Sequence, residues 1–139
     1  MYLIKTEINE TEANSWNFEH QKTMYGGKNL AKGDTIFVFA SETEGGIGLI
    51  AKGIVTATEP TPRREGVERQ TPRVSIKIKR TARALRSLGR NELRQFRDWN
   101  DRRPETELNF KFYRQATNKI GGISPEAAEF LESFFWLFA

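Results

Sequence analysis

Basic side chains are concentrated in the middle of this 139-residue chain. Residues 62–103 carry 14 Lys and Arg against 5 Asp and Glu, a balance of +9, whereas the remainder carries 8 against 13, a balance of −5. A basic segment between acidic ends is typical of a surface that meets a polyanion, and nucleic acid is the commonest such partner. Arg-rich loops and solvated helix faces also occur without a partner, so charge alone leaves both interpretations open.

Aromatic side chains offer a second kind of chemistry. Trp16, Phe18 and Tyr25 stand in the otherwise polar segment 8–32, which also contains Gly and Asn residues that interrupt any long period. We expect this segment to be a loop or short-helix region. Its aromatic rings either pack onto a core or present stacking surfaces to a ligand.

Catalytic chemistry has few candidates. The chain has no Cys, which excludes disulfides, thiolate zinc sites and a Cys nucleophile, and its single histidine, His20, is expected in a loop and not as a base. Glu7, Asp34, Glu42 and Glu44 can come together, and paired carboxylates can do acid and base work. Asp34 and Glu42 therefore carry a weaker hypothesis of hydrolase or transferase activity on nucleic acid. We expect no enzyme, no metal and no cofactor.

A β-hairpin at residues 33–58 is the element around which these groups must be arranged. Its two halves, 33–41 and 48–58, are rich in β-branched and apolar residues, and the Gly-rich link between them permits a reversal. We expect it to be the central hairpin of a small barrel. Pro60 and Pro62 predict that the chain leaves the sheet at residue 59, since proline removes a ladder donor.

Further strands are expected on both sides of the hairpin. Residues 1–7 have β character, and residues 118–123 are expected to form a short closing strand. Residues 73–80 alternate apolar and polar, so that one face joins the core while Lys77 and Lys79 form a basic strip on the other.

The remaining segments have helical features. Residues 82–99 are expected to form two helical pieces interrupted by Gly89, the second capped by Asn91. On one unbroken helix, the arginines at 83, 86, 90, 94 and 97 would form a single basic stripe. Residues 107–115 are ambiguous between strand and helix.

Ser124 is expected to cap the clearest helix, with Pro125 in its first turn. The apolar face of this helix consists of Ala127, Phe130, Leu131, Phe134, Phe135, Leu137 and Phe138. Trp136 and Phe138 at its end could reach another subunit, which predicts a homodimer through this helix.

Four short motifs follow one another along the chain, at residues 2–7, 26–34, 37–41 and 46–55, and together they resemble those of EVE domains, members of the PUA-like superfamily related to YTH and ASCH domains. Residues 2–7 (Tyr-Leu-Ile-Lys-Thr-Glu) resemble an opening strand with the pattern aromatic-x-x-Lys-x-Glu. Residues 26–34 resemble a Gly-x-x-Asn stretch followed by Gly-Asp. Residues 37–41 and 46–55 are similar to the next strand and its Gly-rich return. Two positions depart from the pattern, because Tyr25 replaces the usual Trp and Ala40 the usual His.

The resemblance implies one α+β domain over residues 1–139, a PUA-like twisted antiparallel or mixed β-barrel with peripheral helices. It also implies a pocket that holds a flipped, modified base of DNA or RNA between aromatic walls. The base-pocket candidates are Trp16, Tyr25, Phe39 and Tyr113 as walls, with Asn29, Ser41, Gln115 and Asn118 to read the base edge. The phosphate-binding candidates are Lys28, Lys77, Lys79, Arg90, Arg94, Arg97 and Arg114.

The expected partner is therefore nucleic acid, either DNA or RNA, and not a membrane, since no apolar stretch is long enough for a signal peptide or a membrane span. A cytoplasmic location is expected. The alternative from another class is a small-molecule-sensing or protein-interaction module that uses the same pocket. Steep loss of binding with salt would favour nucleic acid, and salt-insensitive binding of a nucleoside-sized ligand would favour the alternative.

Overall fold

Six strands close into a β-barrel in the computed structural model, which describes residues 1–66, 70–115 and 117–136. The strands are β1 Tyr2–Thr6, β2 Ser15–Met24, β3 Thr35–Ala40, β4 Gly48–Pro60, β5 Arg73–Arg83 and β6 Lys119–Gly122. Their order around the barrel is β1-β3-β4-β5-β2-β6. β1 pairs parallel with β3, β2 pairs parallel with β6, and the other neighbours are antiparallel. The predicted hairpin and closing strand are confirmed.

The described residues form three short helices outside the barrel: α1 Arg90–Leu93, α2 Pro104–Leu108 and α3 Pro125–Glu132. α2 continues directly into a π-helical turn, Asn109–Tyr113, so the ambiguous segment is helical. Single 3-10 turns occupy Gly27–Asn29, Glu42–Glu44, Trp99–Asp101 and Ser133–Phe135. None of the helices over the described ranges is long and apolar enough to cross a membrane.

Two apolar cores share the strands because successive side chains alternate between the two faces of a strand. Ile36 and Val38 of β3 point into the barrel interior, whereas Phe37 and Phe39 belong to a second cluster with Leu108, Phe112 and other helix residues. β3 is therefore apolar on both faces, because helices cover its outer side.

The predicted cap of α3 is confirmed, since Ser124 Oγ accepts a hydrogen bond from the Ala127 backbone N–H at 3.1 Å. Trp136 is half-exposed and lines a groove of about 490 Å³ with Met1 and Ile123. The homodimer through this helix stays a prediction. Leu137 and Phe138 lie outside the described residues.

Three boundaries differ from the sequence-based expectation. Residues 15–24 form a strand and not a loop, and His20 lies at a bulge of that strand with φ 53°. β4 includes Pro60, which pairs with Val74 at the very end of the strand, where a missing donor costs little. β5 extends through Arg83 because Ala82 and Arg83 pair with β4, so the first predicted helical piece is wrong.

The predicted arginine stripe is also wrong. Arg83 lies on a strand and Arg86 in the connection that follows, and only Arg90 lies in α1, a helix of a single turn. Pairing with β4 holds residues 82 and 83 extended, which a helical spacing in the sequence cannot reveal. The cap residue of α1 is Gly89 and not Asn91.

Candidate nucleic-acid interface

A large cavity of about 1030 Å³ lies between the barrel and the segment that leads into the π-turn. Three aromatic residues line it, and two of them are half-exposed, Tyr25 at 46% and Trp99 at 57%. The third is Tyr2 of β1. Asn29, Asn100 and Thr106 add polar groups, and the charged residues of the wall are Arg102, Arg103, Lys111, Glu107 and Glu126. Flat apolar walls with a few polar groups are typical of ligand sites.

A bonded network fixes one wall of this cavity. The Glu107 carboxylate accepts hydrogen bonds from Ser124 N–H at 2.8 Å and from Lys111 Nζ at 3.0 Å, and it also accepts the Ser124 hydroxyl. Although burial opposes ionisation, these donors hold the pKa of Glu107 below its ordinary value. Lys111 Nζ also donates to Gly122 O at 2.9 Å and stands 5.3 Å from the centre of the Tyr25 ring.

Two lysines are buried beneath the π-turn, on the outer face of the barrel. Lys5 and Lys119 are paired neighbours on β1 and β6, and each is at most 1% exposed. Lys5 Nζ lies 4.7 Å from the Tyr113 ring centre, and Lys119 Nζ donates to Lys111 O at 2.7 Å. Burial lowers the pKa of both lysines, and with the charges of Lys5 and Lys22 it brings the pKa of Lys119 to about 8.

A second polar cluster surrounds Glu42, near the end of β3. Its carboxylate accepts the Tyr113 hydroxyl at 3.1 Å and the Arg90 backbone N–H at 2.6 Å. Burial and the Glu42 charge raise the pKa of Tyr113, which keeps the phenol protonated. Asn118 Nδ2 donates to Glu44 at 3.2 Å. Ser41 is 2% exposed, and no group in the described part of the chain bonds its hydroxyl oxygen.

Similar folds have been solved before, and the likeness extends over nearly the whole chain. The DUF55 domain of human thymocyte nuclear protein 1 superposes with a TM-score of 0.66 at 13% identity, covering 98% of each chain. A Pseudomonas putida protein gives 0.60 at 16% identity, covering 97% of this chain and 99% of that one.

The chain has the PUA-like fold of the DUF55 domain. This confirms the fold that the resemblance to EVE domains implied. A structure of human THYN1 protein in complex with 5-methylcytosine-containing DNA superposes with a TM-score of 0.62 at 14% identity, covering 95% of each chain. No protein-family profile matches this chain, and no curated protein sequence matches it.

The PUA-like barrel distributes the predicted base-pocket residues over several places. Tyr25 and Asn29 line the large cavity. Ser41, Tyr113 and Asn118 belong to the Glu42 cluster, where internal hydrogen bonds occupy the polar groups of Tyr113 and Asn118. Phe39 is 1% exposed under the π-turn, and Gln115 is exposed outside the cavity lining.

Trp16 lies in the barrel interior, and we reassign it to the core. It is 7% exposed and stacks on Phe18 at 6.4 Å, and its indole N–H donates to Glu10 O at 2.9 Å. Because β2 is a strand, residue 16 points inward, and its ring cannot serve as an accessible base wall.

The predicted phosphate-binding residues are exposed, but none of them lines the large cavity. Lys28 adjoins the cavity residue Asn29 in sequence. Arg90 donates from its side chain to Thr43 Oγ1 at 3.0 Å, and Arg114 lies over the Phe110 ring at 4.5 Å. The remaining four are Lys77 and Lys79 on β5, with Arg94 and Arg97 after α1.

The two carboxylates considered for catalysis accept hydrogen bonds from different parts of the fold. Asp34 accepts the Ala31 N–H at 2.8 Å in the turn before β3, whereas Glu42 binds Tyr113 and Arg90. Within residues 1–66, 70–115 and 117–136, no group of three or more His, Asp or Glu residues could hold a metal ion.

Sequence reasoning missed five residues of the cavity wall: Tyr2, Trp99, Arg102, Arg103 and Lys111. Trp99 follows Leu93 and Phe96 at helical spacing, which predicts a buried face, but α1 ends at Leu93. The signal that could have found it is its position in a polar segment beside two arginines, which gives an aromatic ring close to cations.

Proposed function

We propose that this protein binds nucleic acid and holds one modified base in the large cavity. Binding and not catalysis is the function proposed. Support comes from the cavity itself and from the likeness in fold to human THYN1 protein, which has been solved with 5-methylcytosine-containing DNA.

The observation that carries the proposal is the position of Tyr25. The residue is 46% exposed in the cavity wall, and its backbone has φ 53°, a conformation that non-glycine residues rarely adopt. Such conformations cost free energy and cluster at ligand sites. A base stacked on this ring would have Asn29 within the same cavity to read its edge.

The test is titration of fluorescent ten-nucleotide DNA and RNA, each with a central cytosine or 5-methylcytosine, at two salt concentrations. We expect affinity to fall steeply with salt, since phosphate contacts release counterions. A methyl group buried against the cavity rings contributes about 0.8 kcal/mol, which corresponds to roughly a fourfold preference for the modified base.

Tyr25→Leu and Tyr25→Phe together test whether the base stacks on the Tyr25 ring, since only the first variant removes an aromatic ring. Stacking of one base on an aromatic ring is worth about 1 to 3 kcal/mol, so Tyr25→Leu should weaken binding roughly 5- to 150-fold, whereas Tyr25→Phe should retain it. Equal affinities of both variants and the parent would place the base elsewhere. Lack of binding to every oligonucleotide would overturn the proposal.

The alternative ligand is a small molecule, because a cavity of about 1030 Å³ is large enough for a nucleoside-sized compound. Salt-insensitive binding of a free nucleoside, without binding of any oligonucleotide, would favour this alternative.

A further inference from the structure

We propose that Trp99 and Arg102 form a second nucleotide subsite, so that the preferred partner is single-stranded nucleic acid with two adjacent unpaired bases. This inference rests on the proposed function. One base occupies the Tyr25 side of the cavity, its neighbour stacks on Trp99, and Arg102 binds a phosphate of the same strand.

Trp99 is an aromatic surface supported from behind and open in front. Its ring packs on Phe110 at 5.1 Å between centres, yet 57% of the residue remains exposed. The Arg114 guanidinium lies over the same Phe110 ring at 4.5 Å. Contact of the apolar Trp99 ring with water is unfavourable, and the exposed part of the ring adds nothing to a core. In proteins that bind single strands, exposed aromatic rings of this kind stack on bases.

The turn that carries Trp99 is fixed by two aspartates. Asp98 Oδ1 accepts the Asn100 N–H at 3.0 Å, and Asp101 accepts both the Arg103 N–H at 3.0 Å and the Thr106 hydroxyl at 3.1 Å. These bonds hold the turn in one conformation before a ligand arrives. A rigid aromatic residue loses little conformational entropy on binding, which favours affinity.

Arg102 is a positively charged residue of the cavity wall, and its backbone and side chain both favour a role in binding. Its backbone has φ 57°, a left-handed conformation that is unfavourable for arginine. Over the described residues its guanidinium makes no hydrogen bond, ion pair or ring contact. By contrast, Arg103 lies over the Phe96 ring at 5.4 Å. Arg102 is therefore free to bind a phosphate oxygen.

Single strands fit this arrangement better than a duplex. A base can stack on Trp99 only after it has left its own neighbours, and a duplex pays that cost for each unpaired base. To fill two stacking surfaces in one cavity, a duplex would have to unpair and unstack two bases. In a single strand the bases are already accessible, so the same contacts give tighter binding.

The experiment compares four fluorescent probes: a ten-nucleotide single strand, two versions of that strand with an abasic site on the 5′ or on the 3′ side of the central base, and the matched duplex. We expect the intact single strand to bind at least tenfold tighter than the duplex. One of the two abasic strands should bind roughly 5- to 150-fold more weakly than the intact strand.

Trp99→Leu should weaken the intact strand by a similar factor and should add no further loss with that abasic strand, because the lost base and the lost ring belong to one contact. Trp99→Phe should retain most of the affinity. Trp136→Leu is the matched control, because it removes another half-exposed Trp, and it should bind like the parent.

Arg102→Gly separates binding from folding. Glycine adopts φ 57° without strain, so the melting temperature should not fall. Loss of one phosphate contact should reduce the slope of log affinity against log salt by about 0.7. If Tyr25→Leu weakens binding while Trp99→Leu does not, or if the duplex binds as tightly as the single strand, the subsite is overturned and the proposed function stands. Absence of nucleic-acid binding in the parent would overturn both.

Discussion

Two buried hydroxyl groups in this fold differ in whether they have a hydrogen-bond partner. Ser41 Oγ has none over the described residues, whereas the buried Thr23 hydroxyl donates to Pro72 O at 2.7 Å. An unbonded buried hydroxyl costs about 1 to 3 kcal/mol, while a satisfied one contributes about 1 kcal/mol. Two residues of similar chemistry therefore have opposite effects on stability.

Ser41→Ala should raise the free energy of unfolding by about 1 kcal/mol, because it removes an unsatisfied group from the interior. Urea denaturation at neutral pH measures this change. The matched control is Thr23→Val, which removes the hydroxyl hydrogen bond to Pro72 O and leaves only the one from the Thr23 backbone N–H at 3.1 Å; it should lower the free energy of unfolding by about 1 kcal/mol. Loss of stability in Ser41→Ala would show that the hydroxyl has a partner, such as a bound water.

Trp16→Ala should lower the free energy of unfolding by about 3 to 5 kcal/mol, because it empties a large volume of the barrel interior. Its affinity for nucleic acid, measured below the melting temperature, should equal that of the parent. Trp16→Phe keeps most of the volume and should cost less. A loss of affinity with unchanged stability would return Trp16 to the binding site.

The π-turn is the element that decides which polar groups are accessible. Phe112 and Tyr113 close over Lys119 and Lys5, and π-turns are frequent at functional sites. The same turn places Lys111 against Tyr25. Burial beneath it, together with the neighbouring cations Lys5 and Lys22, disfavours the charged form of Lys119.

Stability should therefore depend on pH through Lys119. Its pKa is about 8 in the folded chain and 10.5 in the ordinary state, so between these values the unfolded chain binds more protons and the folded state gains stability as pH rises. Lys119→Met removes this gain. From pH 7.5 to 9.5 the parent should gain up to about 2 kcal/mol relative to the variant.

Urea denaturation of the parent and of Lys119→Met at pH 7.5 and 9.5 tests this prediction. Lys5 and Tyr113 are present in both proteins, so the effect of their titration cancels to first order when the two free energies of unfolding are subtracted. Parallel stability curves for parent and variant would mean that Lys119 has an ordinary pKa.

The whole molecule carries its positive charge on several surfaces and not on one stripe. Arg90 begins α1 and Arg94 and Arg97 follow that helix, while Lys77 and Lys79 lie on β5. Charges spread in this way attract a polyanion without reading its sequence.

Replacing Arg90, Arg94 and Arg97 together by Gln should weaken binding of all nucleic acids by about the same factor. For single strands, the slope of log affinity against log salt should become shallower by up to about 2, since each lost phosphate contact contributes about 0.7. Selectivity between cytosine and 5-methylcytosine should not change. Unchanged affinity would make these arginines a solvated surface.

Local sequence was sufficient to predict those elements whose residue pattern matches the structure they adopt in the fold. Residues 33–58 form a hairpin because two runs of β-branched and apolar residues are joined by a Gly-rich link that permits a reversal. Ser124 caps α3 because its hydroxyl bonds a backbone N–H only three residues ahead. The fold itself followed from short motifs in a recognisable order, which the DUF55 likeness confirms. Tyr25 and Asn29 could be placed in a pocket for the same reason.

Long-range pairing decided the rest. Residues 15–24 look like a loop by composition, yet pairing with β5 makes them a strand and turns Trp16 inward. Lysines at positions 5 and 119 are expected on the surface from residue type alone, but closure of the barrel and the covering π-turn bury both. The cavity wall combines residues from β1, from the turn at Trp99 and from β6, and only the tertiary fold brings such distant segments together.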